Sequence, residues 1–287
     1  MANRPSAEIA ITASFVHRLV AAQVPSLASL ALTELSRGWD NTNFRLGDEL
    51  MVRVPHRQVA APLIEHERRW LPAIADMVDL GVPAPIHHGE PTSEYPWPWS
   101  IVPFFDGTEA ARVTLASGET TARTLGTFFC QLHVAAPGDA PVNPYRGVPL
   151  AERRESFERN LDALGSTIDV DAARAIFATA CAAAPATDRV WLHGDLHTRN
   201  MVVNEDLVAA IDWGDICSGD RATDLAAAFM LVPDHVATVQ RISGATDHDM
   251  ERARGWAINF ALIYLAHCDD DPVMGDIGER LIASLVS

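Results

Sequence analysis

The 287-residue chain contains no lysine: all 22 of its basic residues are arginine, set against 38 acidic ones, for a formal net charge of −16. A chain this acidic repels polyanions, and no basic stripe interrupts it, so binding to a DNA or RNA backbone is not expected. Cysteine is scarce too. Cys130, Cys181, Cys217 and Cys268 form no C-x-x-C pair, which argues against a metal knot or disulfide frame and for buried thiols in a reducing compartment. No apolar run approaches the roughly 20 residues of a membrane span. The stretch at residues 9–20 is interrupted by His17 and Arg18 and lacks a cleavage pattern. A cytoplasmic protein is expected, without membrane or nucleic-acid partners. With 48% hydrophobic residues and a mean hydropathy of +0.04, the chain has the apolar content to fold and is not mostly disordered.

The order of elements suggests an α+β protein with a small β-rich first lobe, residues 1–105, and a larger, mainly helical second lobe, residues 106–287. Ile9, Phe15, Val16, Leu19 and Val20 follow a helical stripe within residues 7–23. Strands are expected at 30–36, 42–46 and 50–54, the last two forming a hairpin that turns at Gly47-Asp48. In the third strand Leu50, Val52 and Val54 share one face and leave Met51 and Arg53 on the other. A helix at 62–77, a Pro/Trp tract ending in Trp97-Pro98-Trp99 and a strand at 100–105 follow. Beyond them Leu125, Phe128, Phe129, Leu132 and His133 lie on one face of a long helix.

One segment differs from the rest. Two short apolar runs, 201–203 and 207–211, flank the turn formers Asn204-Glu205-Asp206, so a hairpin is predicted. It would bring Asp195 and Asn200, which precede it, close to Asp212, which follows it. Two carboxylates and an amide oxygen make a hard-oxygen site that suits magnesium bound together with substrate phosphates. The Asp-x4-Asn interval of Asp195 and Asn200 matches the kinase catalytic loop, and Asp212 stands where a kinase holds its metal-binding Asp.

The segments His193-Gly194-Asp195-Leu196-His197 with Asn200, and Ile211-Asp212-Trp213-Gly214-Asp215 followed by Asp224-Leu225-Ala226, resemble the aminoglycoside phosphotransferase family of small-molecule kinases. Gly38-Trp39-Asp40-Asn41-Thr42 and Val52-Arg53-Val54-Pro55 extend the resemblance over nearly the whole chain. It implies a protein-kinase-like fold and transfer of the γ-phosphate of ATP or GTP to a hydroxyl of an aminoglycoside-type antibiotic. It also implies Asp195 as the base and Asn200 and Asp212 as the Mg2+ ligands. His193 and Asp224 would support the loop. The nucleotide base would lie near Ile101, Val102 and Phe104, where exposed backbone groups read its edge.

The departure is the phosphate-binding cation, a lysine in most kinases. Arg53 is the candidate here, since guanidinium binds phosphate through a planar fork. Its expected partner is Glu67, with Glu65 second; the two differ by roughly 200° around a helix and only one can face Arg53. The acceptor, expected to be cationic, would meet His197, Asp215 and the acidic pair Asp269 and Asp270. The plain alternative for the last two is a solvated helix end. Residues 256–265 could line an apolar macrolide pocket or simply be core. Kinases of macrolides or choline-like alcohols, and a non-catalytic nucleotide-binding module, are the competing readings. The missing lysine favours the module; the presence of Asp195, Asn200 and Asp212 together opposes it.

Overall fold

In the computed structural model, residues 6–38, 40–269 and 271–286 are described. They divide into two compact units, one running to Asp106 and the other from Gly107.

In the first unit Thr12 caps α1 (Ala13–Gln23) by accepting a hydrogen bond from the Phe15 N–H. The helix therefore starts later than the stripe at 7–23 suggested, and the Glu8 N–H donates instead to the His56 carbonyl. Next come β1 (Leu32–Arg37), β2 (Asn41–Leu46), β3 (Leu50–Pro55), α2 (Ala61–Ala75), β4 (His87–Gly89) and β5 (Trp99–Pro103). Among the described residues these strands make one antiparallel sheet in the order β1-β2-β3-β5-β4. The β2–β3 hairpin turns at Gly47, whose φ of +63° suits glycine. The last strand ends at Pro103, short of the expected 105.

Val16, Leu19 and Val20 of α1 pack with Phe44, Leu46, Val52, Val54 and Ile101 of the sheet, and with Tyr95, Trp97 and Trp99. The Pro/Trp tract is thus packing material, pinned by the Tyr95 hydroxyl donating to the Pro55 carbonyl at 2.6 Å.

The second unit begins with β6 (Thr108–Glu109) and α3 (Gly118–Leu132), then α4 (Arg154–Leu164) and α5 (Val170–Ala182). β7 (Val190–Leu192), β8 (Met201–Asn204), β9 (Asp206–Ala210) and β10 (Cys217–Gly219) follow, and the chain closes with α6 (Ala222–Leu231), α7 (Val236–Ser243), α8 (Asp247–Ala266) and α9 (Pro272–Val286). β7 pairs with β10, and β8 lies between β6 and β9. A reciprocal Thr246/Asp249 capping box starts α8. This helix packs against α4, α5, α6 and α9 and buries Trp256, Ile258, Phe260 and Leu262. Its apolar face is therefore chiefly core. All four cysteines are free, but only Cys217 is buried; Cys130 is exposed and Cys181 and Cys268 are half-buried. The expectation of four buried thiols fails because Cys130 projects from the outer face of its helix. Among the described residues no helix is long and apolar enough to cross a membrane.

Candidate active site

The loop between β7 and β8 is held from below by one carboxylate. Asp224, in the first turn of α6 and fully buried, accepts hydrogen bonds from the His193 N–H at 2.7 Å and the Gly194 N–H at 2.9 Å. Gly194 has a φ of +88°, and a Cβ there would collide with the Asp215 carbonyl, so the sharp bend requires glycine. His193 ties the loop to the hairpin. Its Nε2–H donates to the Ile211 carbonyl at 3.0 Å while its Nδ1 accepts from the Asp195 N–H at 3.3 Å; together the two bonds fix the orientation of the ring. Its ring lies against Trp213, 4.5 Å between centroids. Asp224→Ala orphans two buried donors, each costing about 1–3 kcal/mol. Urea denaturation should show a loss of that order, and a smaller one in Asp224→Asn, which keeps one acceptor.

Beyond this brace Asp195 faces a ring of donors. The Arg146 guanidinium donates to its Oδ1 at 2.9 Å, and His197 Nε2 stands 3.6 Å from Oδ2. Burial alone would raise the Asp195 pKa, but Arg146 first and then His197 hold it well below the usual carboxylate range. The carboxylate is consequently ionised at neutral pH. About a quarter of its side-chain surface remains open.

The hairpin forms as its sequence predicts. Met201 pairs with Ala210, and the Ile211 N–H donates to the Asn200 carbonyl at 2.8 Å, which sets Asp212 one residue from Asn200's partner. Thr121 and Thr124 of α3 fix the hairpin's tip by donating to the two oxygens of Asp206. Asn200 Nδ2 donates to the Asp195 carbonyl at 3.0 Å, leaving its amide oxygen as the outward end. Asp212 is exposed and sits at φ +62°, a conformation that costs a non-glycine residue energy and gathers at functional sites. Among the described residues no cluster of three His, Cys, Asp or Glu forms a closed metal cage. One carboxylate and one amide oxygen instead suit a hard ion that keeps waters and phosphates in its shell, as magnesium does.

In the first unit Arg53 is no surface residue. Val52 and Val54 face the core, and on the opposite face of β3 Arg53 is only 5% exposed and Glu67 of α2 only 1%; the two pair at 2.7 Å. Glu65 points elsewhere and pairs with Arg68 at 2.9 Å. Ile101 and Val102 are fully buried in β5. The Ile101 carbonyl accepts from the Ile86 N–H, and the Phe104 N–H donates to the Glu49 carbonyl. Those backbone groups are taken up by the sheet, contrary to the expectation of an exposed edge there. The Phe104 ring carries the Arg45 guanidinium 4.4 Å from its centroid.

The acidic cluster divides. Asp269 is exposed, Asp270 lies outside the described residues, and the neighbouring Asp271 is paired with Arg199. Asp215 accepts from Asn143 Nδ2 at 2.6 Å, and its pKa is raised by burial and by Asp195. His197 is buried, with Nδ1 accepting from the Arg199 N–H. Arg146, the closest partner of Asp195, has no signature in the sequence: it belongs to the irregular stretch Tyr145-Arg146-Gly147, 49 residues before Asp195, which carries no motif. The one local signal is Gly147, with a φ of +66°, where the chain passes so close to Gly219 that no side chain fits.

The model of the phosphotransferase enzyme family matches residues 31–256. No curated protein matches the sequence. Among solved structures, the GDP complex of an aminoglycoside 2'-phosphotransferase-IIIa aligns with a TM-score of 0.70 and 17% identity, over 96% of this chain and 98% of that one. A streptomycin–ATP complex of an APH(2")-IIa gives a TM-score of 0.62 at 16% identity, over 92% and 93% of the two chains. The macrolide 2'-phosphotransferase of Brachybacterium faecium gives 0.61 at 20%, over 95% and 97%. At such identities the likeness is one of fold, which is α+β and protein-kinase-like.

Proposed function

Since the chain belongs to the phosphotransferase enzyme family and is a phosphotransferase, we propose that it transfers the γ-phosphoryl group of ATP or GTP to a hydroxyl of a small molecule at Asp195. The observation that carries this reading is the local geometry: one braced loop holds an ionised Asp195, and the hairpin that follows sets Asn200 beside the segment bearing the exposed Asp212.

Asp195 accepts a hydrogen bond from the acceptor hydroxyl and aligns its lone pair with the γ-phosphorus. The new O–P bond forms as the bond from phosphorus to the β–γ bridging oxygen breaks, and the hydroxyl proton passes to Asp195 and on to solvent. A carboxylate held at low pKa is a weak base, which suits a loose transition state where the proton leaves late and positioning dominates. Arg146 keeps the carboxylate in one rotamer. Asn200 Oδ1 and the Asp212 carboxylate would hold magnesium, which when bound neutralises charge on the donor phosphates. Arg53, oriented by Glu67, takes the place of the usual lysine on the phosphates. Phe105 and Asp106, past the end of the β5 ladder, carry the backbone that would read the base. Aminoglycosides and macrolides are acceptors named for the structural neighbours, and they are the first compounds to assay.

Isothermal titration with ATP and GTP, with and without magnesium, tests the metal assignment. Asp212→Asn should weaken magnesium-dependent binding at least about tenfold, a change of ~1.4 kcal/mol, while leaving metal-free binding unchanged. Equal weakening in both conditions would remove Asp212 from the metal site.

A further inference from the structure

A cavity of about 300 Å³ lies in the second unit, and its wall includes the residue that bonds Asp195. Arg146, which bonds Asp195, and Asp215 stand in its wall together with Arg153, Arg159, Asn160 and Tyr145. Three guanidiniums to one carboxylate is the reverse of the balance in a chain of net charge −16. This positive charge is only partly answered by the protein. Arg146 is matched by Asp195, and Arg159 pairs with Glu155 out at the surface. Arg153 has no carboxylate partner within ion-pair distance among the described residues; its guanidinium lies 5.3 Å from the centroid of the Tyr145 ring. The Nε atoms of both Arg146 and Arg153 are buried without an acceptor, an arrangement that a protein normally avoids unless a ligand or water completes it. Burial and the like charge of Arg146 push the Arg153 guanidinium down, against an opposing pull from Tyr145 and Glu152.

Resting on the phosphotransferase reading above, we propose that the acceptor is an anionic alcohol: a small sugar or hydroxy compound whose carboxylate or phosphate binds at Arg153 and Arg159 while its hydroxyl reaches Asp195. Guanidinium forks bind either oxyanion through paired N–H donors. A polycation in this cavity would meet like charge at Arg153, a repulsive element that selects against it. The Tyr145 ring, 60% exposed, offers a flat apolar face to a sugar ring.

The test is calorimetric titration of the enzyme, saturated with magnesium and ADP or GDP, with glucose 6-phosphate, gluconate, glucose and kanamycin. Arg153→Gln and Arg159→Gln are measured in parallel, and thermal melting checks that each variant is folded. At least one of the two anions should bind tenfold or more tightly than glucose and kanamycin, and lose tenfold or more in Arg153→Gln with nucleotide affinity unchanged. A preference for the phosphate or for the carboxylate identifies which oxyanion the cavity reads. Kanamycin or glucose binding as tightly as the anions would overturn the proposal and leave the phosphotransferase reading in place. So would anion binding that survives Arg153→Gln, or failure of both anions to bind. Loss of nucleotide binding by the wild-type chain would instead remove the reading on which the proposal rests.

Discussion

Asp195→Asn should lower the rate of phosphoryl transfer by about 10²–10⁴-fold, the range of a lost acid–base group, while leaving nucleotide affinity nearly unchanged. The amide keeps the shape of the side chain and an oxygen for Arg146, so what is lost is the negative charge and the seat for the proton. Single-turnover transfer from labelled ATP or GTP measures the effect, and a variant with full turnover would remove Asp195 from the chemistry. The pH dependence gives a second handle. Because the folded-state pKa lies below the unfolded value of about 3.9, the ionised Asp195 stabilises the fold at all pH values above that. This contribution is lost as pH falls through the folded pKa. The stability difference between wild type and Asp195→Asn should therefore be full at pH 7 and shrink in strong acid. No acid limb from Asp195 should appear in the rate near neutrality.

The largest effect on stability is expected at Glu67→Ala. Removing one member of a buried ion pair leaves the other charge desolvated and typically costs about 3–5 kcal/mol. With Arg53 at 5% and Glu67 at 1% exposure, the pair meets that description. The midpoint of urea denaturation should drop accordingly. The double replacement Arg53→Met with Glu67→Leu should recover much of the loss, since no orphaned charge remains, yet lack nucleotide-phosphate binding. A double variant no more stable than Glu67→Ala would mean that the pair contributes through shape and not through charge.

The parts legible in the sequence are those governed by local periodicity. Alternation along 50–54 separated Arg53 from the valines, and the helical angle between Glu65 and Glu67 left one of them to meet it; the structure pairs Glu67. The hairpin was legible because Asn204-Glu205-Asp206 interrupts two apolar runs, and Glu205 indeed takes a φ of +65° at its tip. Alternation could not show that both faces of β3 are covered, so the degree of Arg53's burial came only with α2 in place. Charges that meet across the fold left no pattern to read. Arg146 reaches Asp195 across 49 residues, and Arg199 neutralises Asp271 across 72. The arginines facing the cavity were equally hidden, because they come from the irregular segment around Tyr145 and from α4 and the turn before it.

The Arg53–Glu67 pair has a consequence for reactivity. In a kinase with lysine at this position, the amine beside the phosphates can be acylated or trapped by an electrophile carried on a nucleotide. A guanidinium stays protonated at any working pH and offers no free lone pair, and no side-chain amine exists elsewhere in the chain. Nucleotide-based probes that acylate a lysine amine should therefore find no such group to label, even while the enzyme turns over. Covalent ligands would have to be designed around other nucleophiles, such as the exposed thiol of Cys130.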